Sequence, residues 1–79
     1  MTKQFLVMLD DASELVEGTA THVYETYTDQ ATGDGYGVYF VDGPIVKRDA
    51  DGVDWVPESW TEDAKLGVLV VDSWKEKVV

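Results

Sequence analysis

The chain contains no cysteine, so no disulfide can cross-link its fold and no thiolate can act as nucleophile or metal ligand. Its longest apolar run, residues 5–9, is far shorter than the ~20 residues that a membrane-spanning helix needs. A composition without cysteine fits an intracellular protein, and we expect a cytoplasmic location with no membrane attachment. Seventy-nine residues suffice for one domain, so residues 1–79 are expected to form a single domain with a thin core.

Basic residues are also scarce, and they are unevenly distributed. Sixteen Asp and Glu stand against six Lys and Arg, which gives a formal net charge of −10 at pH 7. Residues 4–46 and 49–64 contain no Lys or Arg. Such a charge repels nucleic acids and anionic membranes and attracts basic surfaces, with association rates that fall as salt rises.

What the chain does contain is a series of strand signals. Residues 21–28 and 36–41 are rich in β-branched and aromatic types, and a polar loop with two glycines separates them, which predicts a hairpin. Residues 42–44 (DGP) predict a turn, and residues 49–52 (DADG) predict a second turn between strands at 45–48 and 53–56. The apolar run 5–9 predicts a strand covered on both sides, and the apolar run 66–71 predicts another central strand.

Helix signals are short. Residues 11–18 and 59–65 each begin with a capping pattern and end near a glycine, so each predicts one or two helical turns, with Pro57 ending the preceding strands. We therefore predict a mainly β fold, a small curled antiparallel sheet or SH3-like open barrel of about six strands with one or two short helical turns. The alternative is a twisted sheet with a short helix packed on one face.

No motif indicates metal binding or catalysis. The acidic turn at 49–54 departs from an EF-hand loop, because Gly52 is fourth rather than sixth and Trp60 stands where the loop needs Glu. His22 is the only histidine, and the serines lie in no nucleophile motif. We expect no enzyme activity, no metal and no cofactor.

Aromatic residues are the most informative feature of the surface. Strict alternation along a strand would place Tyr24 and Tyr27 on opposite faces, so one of them would be partly exposed. Exposed aromatics among acids favour a protein interface that meets Arg and Lys over a nucleic-acid surface, which would need bases nearby. The alternative is that the aromatics fill the core.

The predicted meander also locates a binding site. Turns at alternate ends of a meander face opposite ways, so the 29–35 loop and the 49–52 turn are predicted to share one end. The predicted partner-binding residues are Glu25, Asp29, Asp34, Tyr36, Asp49 and Asp51. Alternatively, these are Asp-Gly turns selected only for their backbone geometry.

These features predict a non-enzymatic acidic protein, monomeric or a small homo-oligomer, that occupies a basic surface of a larger protein and binds no nucleic acid directly. In general character it resembles nuclease inhibitors, immunity-type proteins and phage counter-defence proteins, in which carboxylates stand in for the phosphates of DNA. The alternative is an accessory or assembly module whose acidity confers only solubility or salt adaptation.

Overall fold

The computed structural model describes residues 4–78, and these form five β-strands and no helix. The prediction of a mainly β domain is confirmed. The strands are β1 (Phe5–Asp10), β2 (Glu14–Thr28), β3 (Gly35–Arg48), β4 (Asp54–Asp63) and β5 (Val68–Glu76).

β3 is the strand around which the sheet closes. One edge of β3 pairs antiparallel with β2 from Gly35 to Arg48. On its other edge, the first half of β3 pairs antiparallel with β1 and its last two residues pair with β4. β4 pairs antiparallel with β5, and β5 pairs in parallel with β1. The ring of β1, β5, β4 and β3 is therefore a closed barrel, with β2 added outside it along β3. The predicted small, curled, SH3-like barrel is confirmed.

The segment 42–44 is a bend within β3 rather than the predicted turn. Gly43 has a φ of +84°, and residues 43–45 lie opposite Gly18 of β2, which has a φ of +108°. A Cβ on Gly18 would lie only 2.9 Å from Cγ1 of Val41, so the two strands approach closely here. β3 bends without ending, and five strands therefore replace the predicted six.

Both predicted helical turns are wrong, because strand pairing overrides the local capping patterns. In the first, the Asp11 carboxylate accepts a hydrogen bond from the backbone N–H of Gly35 at 2.9 Å instead of capping a helix. In the second, Ser59 lies in β4 and its hydroxyl bonds that of Ser73 in β5 at 2.7 Å. Pro57 does not end the sheet either, because it lies within β4 beside a register shift, where a missing N–H is tolerated.

The core is small, as expected for this length. Val7 and Val41 are fully buried at its centre with Ile45 beside them, and Val46 and Val68 are also buried. The prediction that β1 is covered on both sides is wrong, because Met8, the residue after buried Val7 in this strand, is 55% exposed. Among the described residues no helix could cross a membrane.

Candidate partner-binding face

The outer side of the β1–β3–β2 sheet carries a row of apolar and aromatic side chains. Gly37 and Val41 of β3 are buried, so the alternate residues Tyr36, Val38 and Phe40 point outward. The Tyr36 ring stacks on that of Tyr27 in β2, with centroids 4.8 Å apart and planes 24° apart. Both tyrosines remain about two-fifths exposed, at 37% and 42%.

A β-bulge adds a third tyrosine to this side. The β2–β3 register shifts between Val23 and Glu25, so Tyr24 is an extra residue in β2. Its ring packs edge-on against outward-facing Phe40, with centroids 5.7 Å apart. The prediction that Tyr24 and Tyr27 lie on opposite faces is wrong, because the bulge interrupts the alternation. We call Tyr24, Tyr27 and Tyr36 the tyrosine face.

An apolar groove adjoins the tyrosine face. It has a volume of about 550 Å³, and Leu6, Met8, Val38 and Val70 contribute its apolar walls. Tyr24 and Tyr36 lie along it, and Lys47 of β3 and Trp74 of β5 also line it. Contiguous exposed apolar surface on a small domain is typical of an interaction site.

Next to the groove, four carboxylates surround a cavity of about 420 Å³. They belong to Asp10 at the end of β1, to Asp11 directly after it, and to Asp29 and Asp34 of the β2–β3 loop. Tyr36 lines both this acidic cavity and the apolar groove, and Asp10 is its register partner in β1. The acids and the tyrosine face therefore form one continuous surface.

Local hydrogen bonds hold this surface in shape. Asp29 accepts bonds from the backbone N–H groups of Ala31 at 2.8 Å and Thr32 at 3.3 Å, which folds the loop. Asp10 accepts from the hydroxyl of Ser13 at 2.8 Å, and Asp11 ties its turn to Gly35. These three acids are therefore both structural and exposed, and they keep their negative charges at fixed positions.

In the 49–53 turn, both oxygens of the Asp49 carboxylate accept hydrogen bonds. Oδ1 of Asp49 accepts from the N–H groups of Asp51 and Val53, at 2.9 and 3.0 Å, and Oδ2 accepts from the Trp55 indole at 2.9 Å. The bond from Trp55, followed by that from Val53, lowers the pKa of Asp49 from its ordinary value. Asp49 therefore stabilises the turn, and its carboxylate is already bonded at both oxygens.

The two adjacent bases are also engaged in the barrel. Arg48 donates to Asp54 through Nε at 2.7 Å and Nη2 at 3.2 Å, and this bond lowers the pKa of the Asp54 carboxyl. The ammonium of Lys47 lies 4.0 Å above the Trp74 ring. Burial lowers the pKa of Lys47, while the charges of Asp10 and Asp49 oppose that shift. Neither base is bonded to the loop acids, Asp29 and Asp34.

The structure gathers only part of the predicted site. Asp29, Asp34 and Tyr36 line one cavity, and Glu25 pairs with Val38 on the outward side of β2. Asp49 and Asp51 do not line it, because the 29–34 loop precedes β3 and the 49–53 turn follows it. The prediction that both turns share one end depended on a turn at 42–44, which the continuous strand replaces.

Sequence reasoning missed residues that the barrel brings to this surface. Asp10 and Asp11 complete the acidic cavity, and Leu6 and Met8 form walls of the groove. The abrupt change from an apolar run to two aspartates was the available signal for the acids. Within residues 4–78, no group of three potential metal ligands is positioned to hold an ion. Comparison of the chain with protein-family models, curated proteins and solved structures finds no match.

Proposed function

We propose that this protein is a non-enzymatic, acidic binding protein that occupies a basic surface of a larger protein in the cytoplasm. The observation that carries the proposal is the continuity of the acidic cavity with the tyrosine face and apolar groove, which share Tyr36. Carboxylates select a basic partner, and partly exposed tyrosines supply the contact area typical of binding hot spots.

A nucleic-acid-binding surface is the partner class that fits this arrangement best. Such surfaces present Arg and Lys to phosphates, and fixed carboxylates can stand in for those phosphates. The protein would then act as an inhibitor by DNA mimicry, as phage counter-defence proteins do. The tyrosine face and groove would add apolar contacts that phosphates do not provide.

The test is capture of host proteins on the immobilised domain, followed by elution with a salt gradient. The proposal expects a basic partner that elutes between about 0.1 and 0.5 M NaCl, because charge-dominated association weakens steeply with salt. It also expects the captured partner to lose its nucleic acid when the domain is added. An accessory or assembly module, the alternative, would retain its partner at high salt.

A gel-shift measurement provides the second arm. The isolated domain should shift neither duplex nor single-stranded DNA or RNA at 50 mM salt, because its net charge of −10 repels phosphates. Tight binding of any of these nucleic acids would contradict the proposal.

A further inference from the structure

β2 leaves one complete edge of the sheet open. Within the described part of the chain, it pairs only with β3. Every second residue of an edge strand directs its N–H and C=O away from the sheet, and these groups can pair with another strand. Residues 16–28 are all exposed, so the rest of the described chain does not bury this edge.

Only one part of that edge is regular enough to accept a strand. Four register shifts interrupt β2 between Leu15 and Glu25, and bulges of this kind prevent continuous pairing. From Glu25 to Thr28, four residues in all, the pairing with β3 is uninterrupted. This stretch, 25–28, contains neither the Lys nor the Pro with which proteins commonly protect an edge.

Charge determines which strand the edge favours. Glu25 lies in the regular stretch, and the acids of the adjoining loop, Asp29 and Asp34, follow it. A second copy would bring its own net charge of −10, together with its own Glu25, Asp29 and Asp34, to the same edge. Charges of the same sign brought together at an edge repel each other, so the edge disfavours its own copy and favours a basic segment.

Alternation then specifies the pattern of that segment. Tyr27 and Glu25 both face the outer side, since they pair with Tyr36 and Val38 of β3. An added strand would place every second side chain beside them on that side. Arg at those positions can pair with the carboxylate of Glu25 and pack over the ring of Tyr27.

We propose that an extended basic segment of the partner binds by adding a strand to the open edge at residues 25–28, with Arg or Lys at every second position. The inference rests on the proposed function and specifies how the partner is recognised. Backbone pairing supplies a fixed register, and Glu25, Asp29 and Asp34 supply the preference for basic side chains.

The probe is a seven-residue peptide that alternates Arg and Val, with two derivatives N-methylated at the odd or at the even backbone nitrogens. All three peptides keep the same charge and side chains, but one derivative cannot donate to β2. We expect that derivative to bind at least tenfold more weakly at 50 mM salt, while the other loses less than threefold. Amide exchange at alternate positions of 25–28 should slow when the unmodified peptide binds.

Charge dependence is checked on the protein itself. Glu25→Gln should weaken the unmodified peptide about threefold or more, whereas Glu58→Gln in β4, also exposed, should not. Glu58 lies in β4, outside the 25–28 edge, and both substitutions change the net charge by the same amount.

Three results would overturn strand addition. Equal binding of all three peptides would show attraction by charge alone and would leave the proposed function standing. No binding of the unmodified peptide would remove the edge as a site. Sedimentation of the free protein as a dimer, with residues 25–28 protected, would show that a second copy occupies the edge instead. Salt-independent partner capture, by contrast, would contradict the proposed function itself.

Discussion

The loop before β3 and the turn after it begin alike and differ in what their acids do. Asp29 and Asp49 each accept two backbone hydrogen bonds from the residues that follow, and each segment contains a glycine with positive φ. In the turn, the second oxygen of Asp49 also receives the Trp55 indole. In the loop, Asp29 instead shares a cavity with Asp34 and with Asp10 and Asp11 at and just after the end of β1.

This difference shows that acidity alone does not identify a binding site. Both segments are Asp-rich turns in the sequence, yet the carboxylates at 49 and 54 are bonded within the barrel, the latter to Arg48. The acids around the loop adjoin exposed tyrosines and no base bonds to Asp34 within residues 4–78. We therefore propose that the turn serves stability and that the loop serves binding, and four changes test that division.

Asp49→Ala should have the largest effect on stability. It removes the acceptor of three hydrogen bonds and leaves the half-buried Trp55 indole without a partner. We expect the melting temperature to fall by about 5–10 °C, a large change for a domain of this size. Asp51→Ala in the same turn is the control and should change it by less than about 2 °C. A fall of equal size in both variants would contradict the structural role of Asp49.

The same contrast predicts a pH dependence. The pKa of Asp49 is lowered in the fold, so its contribution is fully present above the ordinary Asp pKa of about 4 and disappears as pH falls through the lower folded value. Asp49→Asn should therefore be less stable than the natural chain at pH 7 and should approach its stability once the pH falls below the lowered pKa of Asp49. Thermal melts of both proteins from pH 2 to 7 measure this, and a pH-independent difference would contradict it.

Tyr36→Ala should separate binding from folding. The ring is 37% exposed and stacks on Tyr27, so we expect a stability loss of about 1 kcal/mol. Partner affinity should fall at least tenfold, because Tyr36 links the acidic cavity to the groove. Tyr36→Phe keeps the stack and is the control for packing. If Tyr36→Ala lowers the melting temperature but leaves the affinity for the partner unchanged, Tyr36 has a structural role and not a binding role.

Asp34→Asn should have the smallest effect and the opposite sign. Its carboxylate lies in a cavity with three others, and exposed like charges repel by a few tenths of a kcal/mol per pair. Removing one charge should raise the melting temperature by about 1–2 °C at 20 mM salt. Screening should remove the gain at 0.5 M NaCl. A decrease at low salt would mean that Asp34 supports the loop.

The sequence predicted where strands form, but it did not predict which side chains share a surface. β-Branched and aromatic residues at 21–28 and 36–41 predicted two strands, because these side chains favour the pleated sheet. The bulge at Tyr24 and the bend at Gly43 depend on how β2 wraps β3, which no local pattern records. The bulge shifts the alternation along β2 by one residue, which changes the face on which a side chain lies. The bend removes one predicted turn, which changes the end of the sheet at which the next turn lies.

The same limit explains the incomplete binding site. Asp10 meets Tyr36 only because β1 pairs antiparallel with the first half of β3, 26 residues further along the chain. The Ser59-x-x-Glu62 pattern favours a helical turn locally. The segment is a strand instead, because it pairs with β5 and because Trp60 packs against Phe5. Long-range pairing, which sequence periodicity does not encode, decided both outcomes.

The central claim is tested most directly by two charge-matched double reversals, measured against the captured partner at 100 mM salt. Glu25→Lys with Asp34→Lys alters the proposed face, and Asp51→Lys with Glu58→Lys alters the net charge equally at exposed positions outside the acidic cavity. We predict that the first pair weakens binding at least thirtyfold and the second less than threefold, with both proteins folded. Equal losses would show that net charge alone governs binding, and a larger loss from the second pair would place the interface at the 49–53 turn.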